Sequence, residues 1–207
     1  MKTGHDVLEL SPVLPVVVVD DAADAVPLAR ALANGGVTAI ELTLRTPAGL
    51  TAIERVAREV PDIVVGAGTV VTPEQARQAA DAGSAFLVTP GCTDRLLDAV
   101  ADTGLPFLPG VSTVSEAMRA AERGISALKF FPAEASGGVA YLKALAGPLP
   151  QLRFCPTGGV TTSNAPSYLA LSTVGCVGGT WLTPADAIAA KDFGRVERLA
   201  REASALR

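Results

Sequence analysis

Histidine is almost absent from this sequence, and its scarcity excludes several kinds of chemistry. A single histidine, His5, occurs among the 207 residues, and it lies in the N-terminal segment. Catalytic triads therefore lack a histidine base, and histidine-rich zinc sites lack their ligands. Any proton transfer has to depend on carboxylates, lysine or water.

Cysteine is scarce as well. Cys92, Cys155 and Cys176 are odd in number, lack CxxC spacing, and two of them lie within apolar segments. We interpret them as reduced thiols of the core. A catalytic role is not expected, because no histidine is available to activate a thiolate.

Clusters of basic residues and long apolar runs are also missing. The formal net charge is -4 at pH 7, which argues against a nucleic-acid groove or an anionic membrane surface as partner and favours a small diffusible ligand. No apolar run approaches the roughly 18 residues that a membrane-spanning helix needs. The first ten residues, with His5, Asp6 and Glu9, do not look like a signal peptide, so we expect a cytoplasmic protein.

The composition predicts one sizeable core. The chain is 49% hydrophobic and 18% charged, and 207 residues are enough for one domain and short for two. We predict a single domain over residues 1–207, with residues 1–10 as an N-terminal lead-in.

Short apolar runs recur about every 20 to 26 residues, and amphipathic segments lie between them. Eight such units predict a single (β/α)8 TIM barrel of class α/β, with parallel strands inside and helices outside. A doubly wound open sheet is the alternative, but no GxGxxG follows the first strand. The predicted strands are 13–19, 38–42, 63–65, 85–88, 106–108, 127–131, 153–155 and 174–177. The predicted helices include 22–33, 49–60, 73–82, 94–101, 114–123 and 164–171.

Lys129 is unusual because it is one of only four lysines and lies within the apolar run 125–132. Removing an ammonium from water is costly, so such a lysine has either a carboxylate partner or a chemical role. Burial disfavours the charged form and exposes the amine lone pair that a Schiff-base nucleophile needs. A structural ion pair is the alternative interpretation.

Functional residues of a (β/α)8 barrel lie at the carboxyl ends of its strands. Alternation in the second strand places Glu41, Thr43 and Arg45 on one face, which we expect to point inward. Glu41 could neutralise Lys129, move protons, or do both. Arg45 could instead be a surface residue, and Thr69 could simply cap the helix that follows it.

Two glycine pairs follow the last two predicted strands, Gly158 with Gly159 and Gly178 with Gly179. Loops at these positions of a (β/α)8 barrel often bind phosphate through backbone amides and a helix N-terminus. Ordinary turns also use glycine. Two pairs at both expected positions nevertheless favour a phosphate site.

Motifs along nearly the whole chain, about residues 10–203, resemble one enzyme family. They are IELTLRT around Glu41, GAGTV ending at Val70, TPG around Pro90, LKFFPAE around Lys129, FCPTGGV ending at Val160 and VGGTWL ending at Leu182. Together they look like bacterial 2-keto-3-deoxy-6-phosphogluconate (KDPG) aldolase, also called 4-hydroxy-2-oxoglutarate (KHG) aldolase.

The resemblance implies a role for each matching residue. Lys129 matches the Schiff-base lysine and Glu41 the acid-base glutamate. Some relatives carry an arginine near the end of the first strand, where this chain has the run 18–20, Val-Val-Asp; phosphate binding would then depend more on backbone amides. The other implied site residues are Arg45 and Thr69 near the pyruvate carboxylate, Pro90 and Phe131 as pocket walls, Thr157 near the substrate hydroxyls, and Gly158, Gly159, Gly178, Gly179 and Thr180 around the phosphate.

The resemblance also implies the reaction. A class I aldolase of this family cleaves KDPG to pyruvate and glyceraldehyde 3-phosphate, and KHG to pyruvate and glyoxylate. Its iminium replaces a metal as the electron sink, so neither metal nor cofactor is expected. Family members are typically homotrimers. Two other functions stay open: a sugar-phosphate isomerase or epimerase, and a non-catalytic sugar-phosphate-binding barrel or trimeric scaffold.

Overall fold

Strands and helices alternate along the chain in the computed structural model, which describes residues 1–206. Within those residues the strands are β1 (Val13–Val17), β2 (Ala39–Thr43), β3 (Val64–Gly68), β4 (Leu87–Val88), β5 (Phe107–Leu108), β6 (Gly110–Val111), β7 (Ala127–Phe130), β8 (Arg153–Pro156) and β9 (Val177–Gly179). The helices are α1 (Gly4–Glu9), α2 (Ala25–Asn34), α3 (Gly49–Glu59), α4 (Pro73–Asp81), α5 (Asp94–Asp102), α6 (Val114–Glu122), α7 (Gly138–Ala146), α8 (Ala165–Leu169), α9 (Ala185–Ala189) and α10 (Phe193–Ser204).

The strands pair in parallel and form two sheets. Six strands follow the order β5-β4-β3-β2-β1-β9, and three follow the order β6-β7-β8. The predicted parallel α/β fold is therefore confirmed. One closed sheet of eight strands stays a prediction, because the nine strands divide into sheets of six and three. Pro109 alone separates β5 from β6 in the chain.

The helices form where a capping side chain precedes an amphipathic segment. Thr72 accepts a hydrogen bond from the backbone amide of Gln75 at 3.1 Å, and Pro73 occupies the first turn of α4. The apolar stripe of each helix packs against the strands; in α3 this stripe includes Ile53 and Val56, both fully buried. Among residues 1–206, no helix combines the length and the apolarity that crossing a membrane requires.

The segment predicted as a lead-in contains a helix, α1. Thr3 and Asp6 form a capping box at its start. Val7 and Leu8 are buried in a cluster with side chains from the sheets, and α1 packs against β5, β7 and β8. His5 Nε2 lies 2.7 Å from Ser126 Oγ, in the loop before β7. The first ten residues are thus part of the packed structure.

Candidate active site

Lys129 and Glu41 form a buried ion pair. Lys129 Nζ lies 3.3 Å from Glu41 Oε1, and the two residues are 3% and 1% exposed. Lys129 belongs to β7 and Glu41 to β2, which are in different sheets, so their contact spans the interior between the sheets. Each charge offsets the cost of burying the other.

Glycines in β3 make room for these interior side chains. A Cβ on Gly68 would overlap the Glu41 carboxylate, and a Cβ on Gly66 would overlap the Phe86 ring. The strand continues to Gly68, three residues beyond the predicted end at residue 65, and a neighbouring side chain fills the space beside Gly66 and Gly68.

A pocket of about 230 Å³ lies near the ion pair, although neither Lys129 nor Glu41 lines it. The Phe131 ring connects the two, since it lines the pocket and its centroid lies 5.4 Å from Lys129 Nζ. Seven of the predicted site residues meet in this lining. The full lining is Val16, Arg45, Phe131, Thr157, Gly158, Gly159, Val160, Gly178 and Thr180.

The pocket suits an anionic ligand. Arg45 supplies positive charge, and its Nε donates a hydrogen bond to Thr69 Oγ1 at 3.1 Å. Gly158 and Gly159 have φ of 98° and 79°, a conformation that glycine adopts without strain. Among residues 1–206, the backbone amide of Gly159 donates no hydrogen bond to the backbone. An unpaired amide in a glycine turn is a typical anion-binding group.

Three other predicted site residues, Thr69, Pro90 and Gly179, do not line the pocket. Thr69 has φ of 58°, a strained conformation for a β-branched residue, and strain of this kind clusters at ligand sites. Pro90 packs against Gly110, the residue that pairs with Lys129 in the sheet. Gly179 lies against the Trp181 ring, outside the pocket lining.

Thr43 is a candidate that the sequence analysis did not select as a site residue. It is 1% exposed, and its Oγ1 has no hydrogen-bond partner within residues 1–206. Alternation along β2 places Thr43 on the same face as Glu41 and Arg45. A buried unpaired hydroxyl costs about 1–3 kcal/mol, so this group is suited to hold a substrate oxygen or a water. The signal in the sequence was its position between two polar residues of the inward face.

Comparison with known proteins places this geometry in a family. The model of the KDPG and KHG aldolase family matches residues 5–199. The KHG/KDPG aldolase of Escherichia coli (strain K12) is 50% identical over 201 residues, which cover 97% of this chain and 94% of that protein.

Two crystal structures share the fold over nearly their whole length. KDPG aldolase from Legionella pneumophila, with pyruvate captured at low pH as a covalent carbinolamine intermediate, has a TM-score of 0.96 at 43% identity, covering 98% of both chains. The 2-keto-3-deoxy-6-phosphogluconate aldolase of Zymomonas mobilis with 3-phosphoglycerate has a TM-score of 0.95 at 44% identity, covering 100% of this chain and 97% of that one.

Proposed function

Because this chain belongs to the KDPG and KHG aldolase family, we propose that Lys129 and Glu41 are the Schiff-base nucleophile and the acid-base residue of a class I aldolase. The enzyme is a lyase that cleaves KDPG to pyruvate and glyceraldehyde 3-phosphate. It also cleaves KHG to pyruvate and glyoxylate. The observation that carries the assignment is the buried contact between amine and carboxylate beside an anion-binding pocket.

The first steps form the Schiff base. Glu41, 3.3 Å from Lys129 Nζ, takes a proton from the ammonium and leaves a neutral amine. The amine attacks the C2 ketone of the substrate and gives a carbinolamine. Loss of water, with a proton returned by Glu41, produces the iminium.

The next steps break the C3–C4 bond and release the two products. Glu41, directly or through a water, takes the proton of the C4 hydroxyl. The C3–C4 bond breaks, its electron pair moves into the iminium to form an enamine, and glyceraldehyde 3-phosphate leaves. Glu41 then protonates the enamine carbon, and water releases pyruvate from Lys129.

Two sets of residues bind the two negatively charged groups of the substrate. Arg45 and Thr69, joined by a hydrogen bond, hold the carboxylate of the pyruvate half. The amides of Gly158 and Gly159, with Gly178, Gly179 and Thr180 beside them, hold the phosphate. Pro90 and Phe131 form walls, and Thr157 approaches the substrate hydroxyls.

We also propose that the two sheets close into one (β/α)8 barrel. Isolated parallel bridges support it, since Phe154 pairs with Val174 and Thr157 pairs with Gly178. These pairs place β8 beside β9, and Pro109 joins β5 to β6 at the other junction. The enzyme is proposed to work in the cytoplasm, as the composition predicts.

A homotrimer completes the proposal. The family resemblance implies it, and exposed apolar side chains supply a surface for it. Val114 and Met118 are 39% and 48% exposed, and they lie one turn apart on the same face of α6. Val71 is 50% exposed in the segment before α4.

Borohydride trapping tests the catalytic assignment. The protein is incubated with pyruvate and sodium borohydride, and the modified residue is located by peptide mapping and mass spectrometry. We expect one pyruvate-derived adduct, on Lys129. The Lys129→Met variant should lose it, and Lys143→Met, which removes an exposed lysine of α7, should keep it. A folded protein without any adduct would favour the isomerase or the non-catalytic barrel instead.

A further inference from the structure

Glu134 and Tyr168 form a hydrogen-bonded pair next to the glycine loop. Tyr168, in α8, is fully buried, and its hydroxyl donates to Glu134 Oε1. Burial, reinforced by this hydrogen bond, raises the pKa of Tyr168, so the hydroxyl stays a donor. Gly138 packs closely against the pair: a Cβ at this position would lie 3.2 Å from Tyr168 Oη and 3.3 Å from Glu134 Oε1.

The pair is in contact with the loop that carries the free Gly159 amide. A Cβ on Gly159 would meet Glu134 Cγ at 2.6 Å and Cβ at 2.7 Å, so the glutamate methylenes lie against this glycine. The Glu134 amide donates to the Gly158 carbonyl at 3.1 Å. Asn164 Nδ2 donates to the Gly159 carbonyl at 3.1 Å. Both carbonyls of the loop are therefore engaged, while the Gly159 amide is left for a ligand.

A carboxylate close to a phosphate site would repel the phosphate unless its charge is directed elsewhere. Glu134 itself does not line the pocket. Its carboxylate is held by the Tyr168 hydroxyl while its methylenes press on Gly159. In this arrangement the glutamate supports the loop through its methylenes, and its charge is directed to Tyr168 and away from the free Gly159 amide.

We propose that Glu134 and Tyr168 are positioning residues that fix the glycine loop of Gly158 and Gly159, and with it the free Gly159 amide, for the phosphate group, and so set the preference for a phosphorylated substrate. This inference rests on the proposed function. It predicts that the pair affects cleavage of KDPG, which carries a phosphate, and leaves cleavage of KHG unchanged, because KHG has no phosphate.

The test compares both substrates in the full-length protein and in three variants. Tyr168→Phe and Glu134→Ala both remove the hydrogen bond between these residues. Each should raise KM for KDPG about tenfold and leave kcat unchanged, because a tenfold change corresponds to the loss of about one hydrogen bond. Both should cleave KHG and trap pyruvate like the wild type. Glu134→Gln keeps an acceptor for Tyr168 and should retain the wild-type KM.

The outcomes separate the positioning role from general destabilisation. Three outcomes would overturn the inference. The variants could lose activity equally on KDPG and KHG, KM for KDPG could stay unchanged, or Glu134→Gln could behave like Glu134→Ala. Failure of the proposed function has a different signature, since the wild type itself would then trap no pyruvate.

Discussion

Replacing Lys129 with methionine should destabilise the protein in a way that depends on pH. Methionine keeps most of the lysine volume but removes the charge. At the observed 3.3 Å, the attraction between the two charges is about 5 kcal/mol for an effective dielectric constant near 20. Without it, Glu41 is a buried carboxylate with no cation beside it, a situation that costs about 3–5 kcal/mol.

Proton uptake limits this cost. The variant can protonate Glu41, which for an ordinary glutamate costs about 4 kcal/mol at pH 7 and about 1 kcal/mol at pH 5. The loss of unfolding free energy relative to wild type should therefore be about 3–4 kcal/mol at pH 7 and about 1 kcal/mol at pH 5. Lowering the pH reduces the difference, because protons are then more available to neutralise the carboxylate.

Urea unfolding at both pH values measures these differences. The double variant Lys129→Met with Glu41→Leu is the matched control, since it removes both charges; it should recover most of the stability while trapping no pyruvate. The reasoning that the pair is shielded from water and strongly coupled would be refuted by either of two results. Lys129→Met could be as stable as the wild type at pH 7, or its loss of unfolding free energy could be the same at both pH values.

Three further predictions follow from other contacts. Arg45→Met should raise KM for KDPG about 10- to 100-fold, as expected for a lost charged hydrogen bond, whereas the exposed Arg77→Met should leave steady-state kinetics unchanged. Although burial alone would raise it, hydrogen bonds from the residues before α6, including Thr113, lower the pKa of Glu116. Glu116→Ala should cost about 1 kcal/mol in urea unfolding at pH 7, and the difference should shrink progressively as the pH falls below the ordinary glutamate pKa of about 4.3. If the protein forms the proposed homotrimer, Met118→Glu should shift it toward monomers in analytical ultracentrifugation, and an unchanged sedimentation coefficient would remove this face from the interface.

Periodicity predicted the parallel α/β fold because buried strands and amphipathic helices leave different spacings of apolar residues. The same argument singled out Lys129, since a cation within an apolar run requires an explanation. Glu41 followed from alternation along β2, and the structure places it 3.3 Å from the lysine. These features depend on local sequence, which is why they could be read without coordinates.

Other features depend on contacts between distant segments. Gly178 lines the pocket while Gly179 lies against Trp181, and no pattern in the motif distinguishes the two glycines. The contact of Glu134 with Tyr168 joins residues 34 positions apart. The role of α1 was missed for the same reason, because its capping residues are a weak signal and its packing against β5, β7 and β8 is not local.

Gly66, Gly68 and Gly178 lie within strands, and each leaves space that a larger neighbouring side chain fills. A Cβ at these positions would overlap Phe86, the Glu41 carboxylate and Thr157 Oγ1, respectively. Even alanine would therefore displace Phe86, Glu41 or Thr157. Enzyme engineers who seek new substrate range should leave these three positions fixed in their libraries and diversify Thr180 or Val16, which border open space instead.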